Sequence, residues 1–136
     1  MTQIIEDFTW IFYIRDTSSY KSDKVGKWMY FFSNKEFAEK ICRNAVDEGV
    51  VNEAKHTNGD KGVCCFYING DEDSEHKKVI NFFIKNNLIR KTKKGKYFNI
   101  TFKYDNQTYI NEYRKEFNSE IKLEDFINLE TGEFIK

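Results

Sequence analysis

Residues 27–37 read Lys27-Trp28-Met29-Tyr30-Phe31-Phe32-Ser33-Asn34-Lys35-Glu36-Phe37. The first six are mostly aromatic, and predict a strand over 27–32. Ser33 followed three residues later by Glu36 has the form of a capping box, in which two side chains satisfy free N–H groups at a helix start. A helix over about 34–48 follows from it. Phe37, Ile41 and Ala45, with Ala38, Cys42 and Val46, recur at helical spacing as its apolar stripe. Gly49 stands where a C-cap belongs.

Val50–His56 reads as the next strand and completes a strand–helix–strand unit over 27–56. A second unit occupies 63–104. Val63–Ile68 is its first strand. A helix over about Asp73–Asn87 has Asp71, Glu72, Asp73 and Glu75 at its N-terminus, where the macrodipole favours negative charge, and Val79, Ile80, Phe83, Ile84 and Leu88 as its stripe. Tyr97–Tyr104 is the closing strand. Upstream, Phe8–Ile14 is a strand, with Phe8, Trp10, Phe12 and Ile14 assigned to the core face. Asp16–Gly26 is a polar loop. Downstream, a short helix or strand at Leu123–Ile127 and a hairpin at Thr131-Gly132 are expected. Two helices with five or more short strands predict an α+β fold. Its form would be a curved, mostly antiparallel sheet with both helices packed on one, convex, face. One domain covers 1–136, with a core over about 8–113 and an irregular extension over 114–136.

The composition fits one domain of 136 residues. Lys plus Arg is 22 and Asp plus Glu is 22. A zero net charge excludes a protein that tracks along nucleic acid, which needs excess cations to displace counterions. It also excludes a polybasic membrane binder. Aromatic residues make up 17% and Pro is absent, a balance foreign to disordered chains. The first residues carry Glu6 and Asp7 and no apolar run, so no signal peptide is expected. No stretch has the length of an apolar membrane span. Three Cys, two of them the adjacent Cys64 and Cys65, form no disulfide framework. The expected compartment is therefore cytoplasmic and reducing. Lys outnumbers Arg 18 to 4, a usage found in AT-rich coding DNA such as that of low-GC bacteria and their phages.

With the helices on one face, alternation leaves the other face open. Thr9, Ile11, Tyr13 and Arg15 would lie there, with Val63, Cys65 and Tyr67, and with Tyr97, Asn99, Thr101 and Lys103. For 27–32 both alternate sets are largely apolar, so its open side stays undecided. Tyr interleaved with Lys and Arg has the makings of a platform that stacks a base, worth about 1–3 kcal/mol, and attracts phosphate. A merely solvated polar face is the plainer alternative.

Other constellations fall short of a catalytic pattern. His56-Thr57 brings to mind the His-x-Thr/Ser motifs of cyclic-phosphodiester hydrolases, but Asn58 and Lys78 stand two residues after the two histidines. The Cys and His residues lack the paired spacing of a zinc site. No Gly-rich phosphate loop or Gly-x-Ser-x-Gly occurs. A Cys65/His56 nucleophilic pair has a plainer reading as buried structural residues. The basic run 90–96 and the acidic cluster 71–75 are either solvated charges or contacts for a partner, including a second copy of the chain.

Gly26-Lys27-Trp28-Met29 at a strand start, Ala45-Val46 with Gly49, Ala54-Lys55, Cys65-Phe66-Tyr67 and Phe102-Lys103-Tyr104-Asp105 with Thr108-Tyr109 and Tyr113 form a further pattern. Over about 10–113 it resembles the family of unknown function of the basophilic leukemia expressed protein, with Tyr104 where that family has Pro. The resemblance implies a fold like that of the cap-binding translation initiation factor 4E. It does not imply cap binding, because a Trp sandwich would need both Trp10 and Trp28, and Trp10 falls on the expected core face. It implies a nucleotide-like or phosphorylated small ligand on the concave face.

The expected function is non-catalytic binding of such a ligand, with no cofactor and no metal. Arg15, Lys27, Lys55 and Lys103 would hold phosphates, Trp28, Tyr67 and Tyr97 would stack a base, and Asp105 and Thr108 would hydrogen-bond sugar or base edges. In a phage or mobile element such a protein would sequester a defence signalling nucleotide. The alternatives are a protein that inhibits a host or defence enzyme through 71–75 and 90–96, and a small phosphodiesterase using His56.

Overall fold

The helix that follows the aromatic strand is set by its two ends. Asn34, rather than Ser33, is the N-cap, and its side chain accepts the Phe37 N–H at 3.1 Å. The start lies one residue beyond the expected capping box, because an Asn oxygen reaches the same free N–H groups as a Ser hydroxyl. At the other end Gly49 takes φ +75°. Its N–H bonds the Val46 carbonyl and the Val50 N–H bonds that of Ala45, closing the helix by paired reverse bonds. The second helix ends the same way on Asn87, with φ +58°, an amide side chain that tolerates the left-handed region.

The structure is a computed structural model that describes residues 2–105 and 121–136. Its strands are β1 (Gln3–Glu6), β2 (Trp10–Ile14), β3 (Val25–Phe32), β4 (Glu53–Thr57), β5 (Gly62–Asn69) and β6 (Lys103–Tyr104). The helices are α1 (Lys35–Asp47), α2 (Asp73–Lys85) and a 3-10 turn at Leu123–Asp125. The strands form one antiparallel sheet in the order β1-β2-β4-β5-β3-β6. The class is thus α+β, a six-stranded antiparallel sheet with two helices. β4 and β5 form a central hairpin, flanked by β2 on one side and β3 on the other. No helix among the described residues is long and apolar enough to cross a membrane.

Register assigns the faces. Tyr13, Ala54, Phe66 and Trp28 lie in one row across β2, β4, β5 and β3, and Ile11, His56, Cys64 and Tyr30 in the next. These rows meet the helices. Phe66 packs on Phe82 and Phe83, Trp28 on His76, and Tyr30 on Phe37, so both helices cover the same face. The assignment of β2 is therefore corrected. Ile11 and Tyr13 are buried under the helices, while Trp10, Phe12 and Ile14 lie on the open side. Both alternate sets of β2 are apolar, so pairing decides the face where hydrophobicity does not.

The expected strand over 97–104 pairs with β3 only at Lys103–Tyr104. Upstream of Lys103 the chain leaves β3. The Ile100 N–H turns back to the Phe98 carbonyl, and Tyr97 and Phe102 donate to Leu129 and Ile121 instead. The C-terminal stretch expected as an extension supplies Leu123, Phe126 and Ile127 to the same core as Trp28 and Phe102, with Phe126 stacked on His76. Its hairpin is present, with an Ile127–Phe134 bridge around Gly132. Gly26 explains why β6 lies so close. A Cβ there would overlap the Lys103 carbonyl and the Phe102 ring.

Candidate functional site

Two rows of side chains cross the open face. One runs Ile14, Glu53, Tyr67, Lys27, Lys103, and the next runs Phe12, Lys55, Cys65, Met29. Lys55, central in the second row, lies over three rings. Its Nζ is 3.9 Å from the centre of the Trp10 ring, 5.6 Å from that of Phe12 and 5.8 Å from that of Tyr67. Lys27 also approaches Tyr67, at 5.9 Å, and pairs with Asp105 at 3.1 Å.

The loop between β2 and β3 walls one side of this surface. Asn69 holds it, accepting the Lys21 N–H at 2.9 Å and donating to the Ser19 carbonyl at 2.9 Å. The Tyr20 hydroxyl donates to the Tyr67 carbonyl at 2.7 Å and accepts the Asn52 N–H at 3.1 Å. Between loop and sheet lies a cavity of about 400 Å3, lined by Tyr20, Lys21, Ser22, Val25, Glu53, Lys55, Tyr67 and Asp105. That volume falls within the range of small-ligand sites. Its charged groups are two ammonium groups and two carboxylates, with Lys27 adjoining through Asp105.

Burial sets the protonation of the site. It raises the Glu53 carboxyl, an effect that Lys55 opposes and Asp105 reinforces. Burial, with the neighbouring Cys65, Asp105 and Glu53, also raises the Tyr67 phenol, which stays neutral. The Cys65 thiol is pushed up to about 11, again by burial first, so it remains a thiol near neutral pH. A thiol held that way is a poor nucleophile. The arrangement can offer cations, hydrogen-bond acceptors and ring faces to a ligand.

Of the expected ligand residues, Lys55, Tyr67 and Asp105 line one cavity, and Lys27 and Lys103 share its cross-strand row. Arg15 belongs elsewhere, because its guanidinium donates to the Val46 carbonyl at 3.4 Å, near the end of α1. Trp28 is on the helix face and fully buried. Its indole N–H donates to Nδ1 of His76 at 3.0 Å, and Nε2–H of His76 donates to the Gly70 carbonyl at 2.8 Å. It cannot stack on a ligand. Tyr97 packs against Gly132 and under Lys91, whose Nζ is 4.8 Å from its ring, away from the cavity. Thr108 lies outside the described residues.

Trp10, Tyr20, Lys21 and Glu53 are additions that the sequence reading lacked. Trp10 was missed through the reversed phase of β2. The others are placed by loop packing and by register, for which alternation within one strand carries no signal.

His56, the expected residue of the phosphodiesterase alternative, lies in the core away from the open face. It is fully buried, its Nε2 accepts the Tyr13 hydroxyl at 3.2 Å, and its Nδ1–H donates to the Thr57 carbonyl at 2.9 Å. The acidic cluster is engaged locally. Asp71 pairs with Lys21, Asp73 with Lys136 and Glu75 with Lys78. Among the described residues, no three His, Cys, Asp or Glu side chains converge as a metal site.

No family model matches the chain, and neither a curated protein nor a solved structure matches it.

Proposed function

We propose that the protein binds a small phosphorylated ligand of nucleotide type on its open sheet face, without turnover, on a scaffold laid out like that of translation initiation factor 4E. The observation that carries this reading is Lys55, which stands at a 400 Å3 cavity and over the Trp10 and Tyr67 rings. Lys55 holds the phosphate together with Lys21 or Lys27. A cation over an exposed ring is worth about 0.5–1 kcal/mol. A base stacked on the same ring is worth about 1–3 kcal/mol. Transfer of the ammonium from Trp10 to a phosphate, with a base taking its place on the indole, is therefore favourable. Asp105 and Glu53 accept hydrogen bonds from sugar hydroxyls or exocyclic amines. A protein that holds a nucleotide without converting it acts by sequestration, and in a phage or mobile element its target would be a defence signal.

A thermal-shift screen of mono-, di- and cyclic nucleotides tests this. A ligand at one hundred times its dissociation constant adds about 2.7 kcal/mol to the folded state. At least one nucleotide should raise the melting temperature at millimolar concentration. If none does, the reading fails.

A further inference from the structure

β3 has a second side. Along its whole length it pairs with β5, but β6 covers its outer edge only at Gly26 and Lys27. Among the described residues, no strand pairs with the outer edge of Trp28–Phe32. In an antiparallel strand alternate residues aim both N–H and C=O to the same side, so this half-edge offers backbone donors and acceptors to an incoming strand.

The edge borders a groove of about 480 Å3, opened where the chain upstream of Lys103 leaves β3. Met29, Phe31, Phe98 and Ile100 supply apolar walls, and Phe31 is 73% and Phe98 43% exposed. The charged lining groups are Arg90 and Lys103, with no carboxylate. Arg90 lies 5.7 Å from the centre of the Phe98 ring and opens the basic run that continues through Lys96.

We propose that this groove is a docking site for an extended peptide with alternate apolar and acidic side chains, which adds to the sheet as a strand on the outer edge of β3. The backbone half-edge supplies the main-chain hydrogen bonds of strand addition, and the apolar wall takes every second side chain. Arg90 and Lys103, the charged side chains of the lining, select carboxylates on the partner. This site is separate from the cavity at Lys55, and the proposal stands without the nucleotide reading.

Selection from a phage-displayed library of random dodecapeptides on the immobilised protein is the test. Enriched peptides should alternate apolar and acidic residues. They should slow hydrogen exchange at those amides of Met29–Phe32 that face the outer edge, every second one, and not at those already paired with β5. Phe31→Glu and Arg90→Glu, both surface changes, should each weaken them by about tenfold or more, while circular dichroism stays unchanged. Failure to enrich any peptide overturns the proposal. So does enrichment of acidic peptides lacking the alternation, or binding indifferent to both substitutions. A protein that dimerises through this edge on its own would assign the groove to a second copy and overturn it equally.

Discussion

The molecule has two tryptophans, one on each face of the same sheet, and they have opposite surroundings. Trp28 lies under the helices, fully buried, with its N–H fixed by His76 and its ring among Phe102, Phe126 and the histidine. Trp10 lies on the open side beneath the ammonium of Lys55. The first is held by groups that cannot leave without unfolding. The second is covered by one charged side chain at the open surface, which the proposed ligand would displace. Aromatic content by itself separates neither case, whereas the partner of each ring does.

The largest expected effect lies on the buried side. Trp28→Ala should lower stability by about 3–5 kcal/mol, since it removes a large core side chain and leaves Nδ1 of His76 without its donor. Urea denaturation measures it, and a loss under about 1 kcal/mol would show that the two faces are packed alike.

Acid should reveal the same asymmetry with a smaller effect. Burial lowers the pKa of both His56 and His76 from 6.5. Above about pH 6.5 both are neutral, folded or unfolded, and their contribution is complete. As pH falls below that value the unfolded chain takes up protons that the folded core resists, so stability declines. The slope reaches at most about 1.4 kcal/mol per pH unit for each imidazole. His76 dominates, because a proton on Nδ1 would face the Trp28 N–H, whereas the Tyr13 hydroxyl beside His56 can turn and accept. Denaturant midpoints for the parent and for His76→Gln between pH 7 and 5 check this. A parent stability that stays flat across that range would remove the buried histidines from the account.

The smallest effect on stability belongs to the open side. Trp10→Ala should cost about 1 kcal/mol, the size of an ordinary single substitution. A loss approaching that of Trp28→Ala would mean that Trp10 is a core residue after all.

This contrast was not legible in the sequence, where Trp10 reads as core and Trp28 as a stacking residue, although most of the elements that carry the two rings were. The two amphipathic helices each carry one dominant period, the strands at 27–32 and 63–68 are short apolar, aromatic-rich runs, and all four formed close to where they were expected. Lys55, Tyr67 and Asp105 were expected at a ligand site and do line one cavity. β2 was misread because both of its faces are apolar, and its side was decided by pairing with Ala54 and His56 of β4. That reversal placed Trp10 in the core and Tyr13 outside it. β1 was missed because its four residues are all exposed. The stretch 97–102 alternates as a strand should, yet its backbone bonds go to Leu129 and Ile121. No local pattern announces a partner so far along the chain.

Trp28 is sealed, so of the two tryptophans a ligand on the open face beside Lys55 would reach Trp10 alone, and intrinsic fluorescence can follow it. The most direct test of the open face as a binding site is titration of the protein with the nucleotides of the thermal-shift screen, monitored at the tryptophan emission. The account predicts saturable quenching by at least one of them, abolished in Trp10→Phe and weakened about tenfold or more in Lys55→Ala, with folding intact in both. No quenching by any nucleotide, or quenching that survives Trp10→Phe, would contradict it.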